Sequence, residues 1–271
     1  ALGLAEALHL CGAEVGDAGA RAMAASPHLR KLTTLMLVDN AIGDAGAEAL
    51  AASQHGGGLV EIDLGFNRIG DAGALAFASS TGLPALATLG LYGNGINATG
   101  VVAILTSPHL PALRDFQLAV KPLPLDAIRT LVTAPHVPMV TSLFVPSATL
   151  GDEGVALLAQ WPGLASVTSL DLSENGITVV GIAALAASPW LRALTTLELS
   201  QNALGDDGVA ALAAAPWLAS VTTLKLRSNA IGSVGAIALA ASPNVANVTL
   251  LELAYNQLGP VGAAAIAGAP H

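Results

Sequence analysis

Residues 32–53 read Leu32-Thr-Thr-Leu35-Met-Leu37-Val-Asp-Asn40-Ala-Ile42-Gly43-Asp44-Ala-Gly46-Ala-Glu-Ala-Leu50-Ala-Ala-Ser53. Leu35 and Leu37 alternate with Thr34 and Met36, a period of two that predicts a short strand with one buried face. Leu32 and Ile42 add inward anchors on either side. Asp44 is expected to supply the N-cap oxygen of a helix over residues 45–52, where alanines favour the helix and Leu50 points inward. Ser26-Pro27, Ser107-Pro108, Ser188-Pro189 and Ser242-Pro243 recur behind the helix. They end it, because the residue before proline is driven out of the α region. The unit is therefore strand, tight turn, helix and return loop.

Stepping from Asn40 in intervals of 27 meets Asn67, Asn94, Asn175, Asn202, Asn229 and Asn256, with Ala13, Lys121 and Ala148 at the remaining steps. Ten repeats of 27 residues cover all but one of the 271 residues. A fixed period of this size marks a solenoid, since one unit alone cannot bury its leucines and neighbours must stack. Parallel strands sit ~4.8 Å apart and helices roughly 10 Å apart. The expectation is one elongated domain over 1–271, with a parallel sheet on a concave face and helices on a convex one. Gly46, Gly73, Gly100, Gly154, Gly181, Gly208, Gly235 and Gly262 are expected to let the helices crowd together. Each Asn amide is expected to bond backbone groups of its own and the next turn.

The phrase Leu-x-x-Leu-x-Leu-x-x-Asn-x-Ile-Gly-Asp-x-Gly-Ala, repeated along the chain, resembles the leucine-rich repeat. Its helix-forming second half is similar to the ribonuclease-inhibitor-like class, a phrase shared with NACHT-type immune receptors and Ran GTPase-activating proteins. The resemblance implies a right-handed α/β solenoid that binds a macromolecule. It carries over no catalytic or partner-specific residue. Repeats here are shorter than those of that class and far richer in alanine.

Hydrophobic residues make up 53% of the chain and mean hydropathy is +0.65. Alanine, about a fifth of the sequence, inflates both values, and no apolar run approaches the ~18–20 residues of a spanning helix. Residues 1–4 fit the repeat register and read as no signal peptide. A net charge of −9 with ten Lys and Arg argues against nucleic acid and against an anionic membrane. Cys11, the one cysteine, fits a reducing, cytoplasmic setting. Neither end shows a polar capping repeat, so the chain is expected to be part of a longer protein.

Three columns of outward strand and turn positions define the candidate surface. One contains Met36, Asp63, Phe144, Asp171, Glu198, Lys225 and Glu252. The next contains Val38, Tyr92 and Arg227, and the third Phe66 and Val120. Repeats 2–6 gather apolar side chains where water is expected, and repeats 7–10 are charged. An exposed apolar cluster edged by charge is what a protein interface looks like, with aromatic anchors dominating its energy. The competing account is drift, with aromatics lying flat on the sheet. The interface is favoured because the residues fall in consecutive repeats.

Other features invite plainer readings. Asp171 and Glu198 are neighbours that suggest an acid pair or a Ca²⁺ site, but solvated like charges are the commoner case. His28, His55, His109, His136 and His271 share a return-loop column with Trp190 and Trp217. Adjacent histidines there suit a transition metal, yet packing of flat rings after Ser-Pro is favoured. Lys121, Pro122, Pro124, Pro146 and Ala148 mark an irregular stretch in repeats 5 and 6. Helix faces in repeats 7–10, such as Ala183, Ala210, Ile237 and Ala264, carry almost no charge. No phosphate loop, metal-spaced Cys/His set or Gly-x-Ser-x-Gly elbow is present. The sequence thus reads as a non-enzymatic scaffold without cofactor that binds a protein partner. The alternative is a regulatory or effector domain of a larger receptor or GTPase-regulating protein.

Overall fold

A strand only three residues long, turned in register against an identical neighbour, is what the alternation at Leu35 produces. The computed structural model describes residues 6–117, 123–134 and 140–269. The chain divides into two compact units, Ala1–Val120 with Thr133–Ser142, and Lys121–Val132 with Leu143–His271. In the first, β1 (Ala7–His9), β2 (Thr34–Met36), β3 (Glu61–Asp63), β4 (Thr88–Gly90) and β5 (Asp115–Gln117) alternate with α1 (Gly16–Ala25), α2 (Asp44–Ala51), α3 (Asp71–Ala78) and α4 (Ala98–Leu105). Next in the chain come α5 (Leu125–Thr133) and β6 (Ser142–Phe144). The second unit continues with α6 (Gly151–Leu158), β7 (Ser169–Asp171), α7 (Val179–Ala186), β8 (Thr196–Glu198), α8 (Gly205–Ala213), β9 (Thr223–Lys225), α9 (Ser233–Ala240), β10 (Leu250–Glu252) and α10 (Gly259–Ala267).

Pairing is parallel and steps by one repeat. Leu8, Leu35, Ile62 and Leu89 align across the first unit, and Leu170, Leu197, Leu224 and Leu251 across the second. In β2, β3, β7, β8 and β9 the middle residue is buried and its flanks are half-buried. Leu35, Leu37, Ile42 and Leu50 are essentially without solvent contact, as are Leu197, Leu199 and Leu212 in the second unit. Within each unit successive helices pack on one another. This is an α/β solenoid, as the sequence predicts.

Three polar ladders tie neighbouring repeats together within each unit, and two run differently from expectation. The Asn amides bond their own turn and the preceding one, not the next. Asn40 Oδ1 accepts from Ala13 N and Val15 N, while its Nδ2 donates to Leu10 O and Val38 O. Asn175 likewise accepts from Ala148 N and Leu150 N and donates to Val145 O and Ser173 O. Where Ala148 replaces the Asn, the Leu123 N–H turns to the Ala148 carbonyl at 2.9 Å. Lys121, the other replacement, and Pro122 lie outside the described residues.

The second correction concerns Asp44. It opens α2, whose N-cap is Gly43, a residue with no side chain of its own to cap the helix, and Asp44 does not supply that bond. Its Oδ1 accepts instead from Gly70 N at 2.7 Å and Gly73 N at 2.9 Å, at the start of the next helix, α3. Asp17, Asp71, Asp152 and Asp206 serve α2, α4, α7 and α9 in the same way. The glycine column follows from this. A Cβ at Gly46 would stand 2.7 Å from Asp17 Oδ1 and 3.1 Å from Ala20 Cβ, so glycine admits the carboxylate as well as the neighbouring helix. In the third ladder, Ser53, Ser80, Ser107, Ser188 and Ser242, each just behind the helix of its own repeat, donate to a carbonyl at the end of the helix one repeat earlier.

Asp152 makes the capping ladder testable by pH. Burial raises its pKa, but bonds from the Thr178 hydroxyl, Thr178 N and Gly181 N outweigh it, and the carboxyl is held below its ordinary value. A depressed folded-state pKa gives stability that is full above the unfolded value and lost as pH falls through the folded one. Asp152→Ala should therefore cost about 1–2 kcal/mol at neutral pH. The gap from the parent, followed by urea denaturation, should close as pH drops below about 4. A gap that stayed constant into acid would refute the charged cap.

Candidate functional site

Within each unit, the outward residues of the described strands and the two turn positions before the Asn form a surface that the buried leucines hold in place. On the first unit the structure gathers Asp63, Phe66 and Tyr92. Asp63 Oδ1 accepts from Gly65 N at 2.8 Å, and the Tyr92 hydroxyl donates to Oδ2 at 3.2 Å. The Phe66 and Tyr92 rings meet edge to face, 5.3 Å between centroids and at 90°. Burial first, then the Asp63 charge and hydrogen bond, and last the Cys11 charge push the Tyr92 phenol above its ordinary pKa.

Glycines in the neighbouring repeats make this cluster possible. A Cβ at Gly65 would lie 2.4 Å from the Tyr92 ring, one at Gly93 2.5 Å from the Phe66 ring, and one at Gly90 2.6 Å from Asp63 Oδ1. Phe66 itself is held at φ +52°, and 60% of it is exposed. The position before the Asn is left-handed in repeat after repeat. Gly12 and Gly93 occupy it without strain, whereas a bulky ring there is disfavoured. Met36 is half-buried beside this cluster on β2, opposite Asp63 in register.

On the second unit the charged columns pair up. Lys225 Nζ lies 3.4 Å from Glu198 Oε2, and Glu198 Oε1 accepts from Ser200 N. Asp171 accepts from Ser173 N and Oγ. Asp171 and Glu198 are aligned in register, but the bonds they make go to different partners. The Arg227 guanidinium sits 4.2 Å from the centre of the Tyr255 ring, which is 73% exposed. Glu252 is half-buried on β10, and Phe144 is half-buried on β6 in this unit.

Tyr255 stands in the same outward column as Phe66, but column reading alone does not mark it as a contact residue. Columns step by 27, whereas Arg227 reaches Tyr255 by a step of 28 and Phe66 reaches Tyr92 by one of 26. A search for diagonal neighbours would have found both. The return-loop column is mixed. Trp217 is buried and its indole N–H donates to Ala186 O at 3.0 Å. His28 and His109 are exposed, and His55 Nδ1 lies 3.5 Å from Arg30 Nη2. His136, His271 and Val120 fall outside the described residues. Among the described residues no group of three or more His, Cys, Asp or Glu is placed to hold a metal ion. Nor is any described helix long and apolar enough to cross a membrane.

Comparison with known proteins follows the same architecture. The mouse RP105/MD-1 complex contains a chain that is 17% identical, with a TM-score of 0.51, over 86% of this chain and 35% of that one. An internalin from Listeria monocytogenes is 19% identical at a TM-score of 0.45, over 96% of this chain and 84% of that one. The LRR ectodomain of the Arabidopsis thaliana receptor kinase GASSHO1/SCHENGEN3 is 16% identical at 0.42, over 89% and 32%. This chain thus spans about a third of the length of the mouse and the Arabidopsis chains. No curated protein sequence matches it. A leucine-rich repeat profile matches residues 28–51, 59–78, 163–186, 191–213, 218–240 and 246–267, together just over half of the chain. On that match, and with the fold it describes, this chain belongs to the leucine-rich repeat family.

Proposed function

We propose that this chain is a non-enzymatic recognition module that holds a protein partner on its strand face and uses no cofactor. Phe66 carries the reading. It is a large ring, mostly exposed, in a left-handed conformation that glycine fills in the first and fourth repeats. Neither burial nor backbone preference accounts for a phenylalanine there, and strained, exposed side chains concentrate at functional positions. Tyr92, braced by Asp63, stands beside it. On the second unit the proposed contact residues are Phe144, Asp171, Glu198, Lys225, Arg227 and Glu252, joined by Tyr255. An exposed Cys11 suits a reducing compartment.

Interface hot spots are commonly aromatic and each contributes about 2 kcal/mol or more. A Phe66→Ser/Tyr92→Ser variant should therefore lose partners that the parent chain captures from a lysate of its source cells, with its circular dichroism unchanged. Partners captured equally by both would move the binding surface off this face.

A further inference from the structure

We infer that the side chain received against the exposed Phe66 ring, beside Tyr92 and Asp63, is basic, an arginine of a protein partner above all. The inference rests on the strand-face reading and adds the chemistry of what docks there. Outward strand and turn positions over β1–β4 carry Asp39, Glu61 and Asp63 and no lysine or arginine. The nearest cation in sequence is Arg68, which follows Asn67, and the cation–ring contact seen among the described residues is that of Arg227 on Tyr255. The ring pair with Asp63 beside it offers a guanidinium both a π face and a counter-charge. Tyr92 donates its hydroxyl to Asp63, which makes its ring richer in electrons and a better cation acceptor.

The second unit shows how these columns complete an exposed aromatic. There Arg227 covers Tyr255 from one repeat earlier. The position with the same relation to Phe66 is Val38, which brings no charge. The face that Arg227 fills from within the second unit is thus left, in the first, for a cation from outside. Arginine suits it better than lysine because a planar guanidinium stacks on rings and bonds carboxylates in a fork.

The test is a display selection of short random linear peptides on the whole chain at low salt. Recovered peptides are then assayed on the parent, on Phe66→Ser/Tyr92→Ser and on Asp63→Asn. Peptides rich in arginine, lost on the double variant, should be recovered. Their affinity should fall roughly tenfold when the key arginine becomes glutamine, and severalfold on Asp63→Asn. It should weaken further as salt is raised. Peptides lost on the double variant but not enriched in basic residues would overturn the inference and leave the recognition surface standing. Peptides indifferent to the double variant, or no binders at all, would count against both.

Discussion

Asn67→Ala should destabilise the protein by about 4 kcal/mol, the largest loss expected from any single substitution in the polar ladders. The Asn67 amide is buried and fully used. It accepts from Asn40 N and Ile42 N and donates to Leu37 O, Leu64 O and Gly65 O, at 2.9 to 3.2 Å. Alanine strands two N–H groups and several carbonyls where water does not reach, and each orphaned buried group costs roughly 1–3 kcal/mol. Partial rebonding keeps the sum below the arithmetic maximum. Ala148 shows what that looks like, with Leu123 N turning to the Ala148 carbonyl. Asn94→Ala should cost about half as much, because Asn94 is only half-buried and its Oδ1 is seen to accept from Ile69 N. Urea midpoints with an unchanged slope would measure both. A loss under about 1 kcal/mol at Asn67 would contradict the ladder.

Gly73→Ala should cost about 2–3 kcal/mol, against the usual trend for glycine in a helix. Propensity alone favours alanine by nearly 1 kcal/mol. The added Cβ would meet Ile69 Cγ2 at 2.6 Å, and Ala47 Cβ and Asp44 Oδ1 at 2.9 Å each. Ile69 and Ala47 are buried and their atoms lie close to the backbone, so relief requires moving a helix. The third contact is the carboxylate that caps α3 through Gly70 N and Gly73 N. Losing that cap adds about 1 kcal/mol. Thermal denaturation should show a melting point lowered by several degrees. A raised melting point would mean that propensity wins and the repeats are less tightly spaced than the structure shows.

Most of the fold was legible because a 27-residue period repeats the same physical demand. Leu35 and Leu50 declare a strand and a helix once, and later copies confirm the phase. What escaped was the direction of the polar ladders. The sequence shows that Asp44 stands beside a helix start, but not that the carboxylate reaches Gly70 more readily than its own N–H groups. That choice depends on the spacing between repeats, a tertiary quantity. The candidate surface was half legible for a related reason. Columns place Asp63, Tyr92 and Phe66 on one face, but side chains lean along diagonals. The Phe66–Tyr92 and Arg227–Tyr255 contacts, and the glycines that seat the rings, emerge only when the strands are laid side by side.

If Phe66 serves recognition, as proposed, and contributes little to the fold, Phe66→Gly should leave the protein nearly as stable as the parent. Relief of the left-handed backbone gains about 1 kcal/mol. Loss of the edge-to-face contact with Tyr92 costs about 0.5–1.5 kcal/mol, and glycine's freedom in the unfolded chain somewhat less. Its stability by urea denaturation should therefore lie within about 1 kcal/mol of the parent's, whereas a buried ring such as Phe77 should cost about 3–5 kcal/mol on truncation to alanine. A loss at Phe66 approaching that of Phe77 would make the ring a structural element and contradict the proposal.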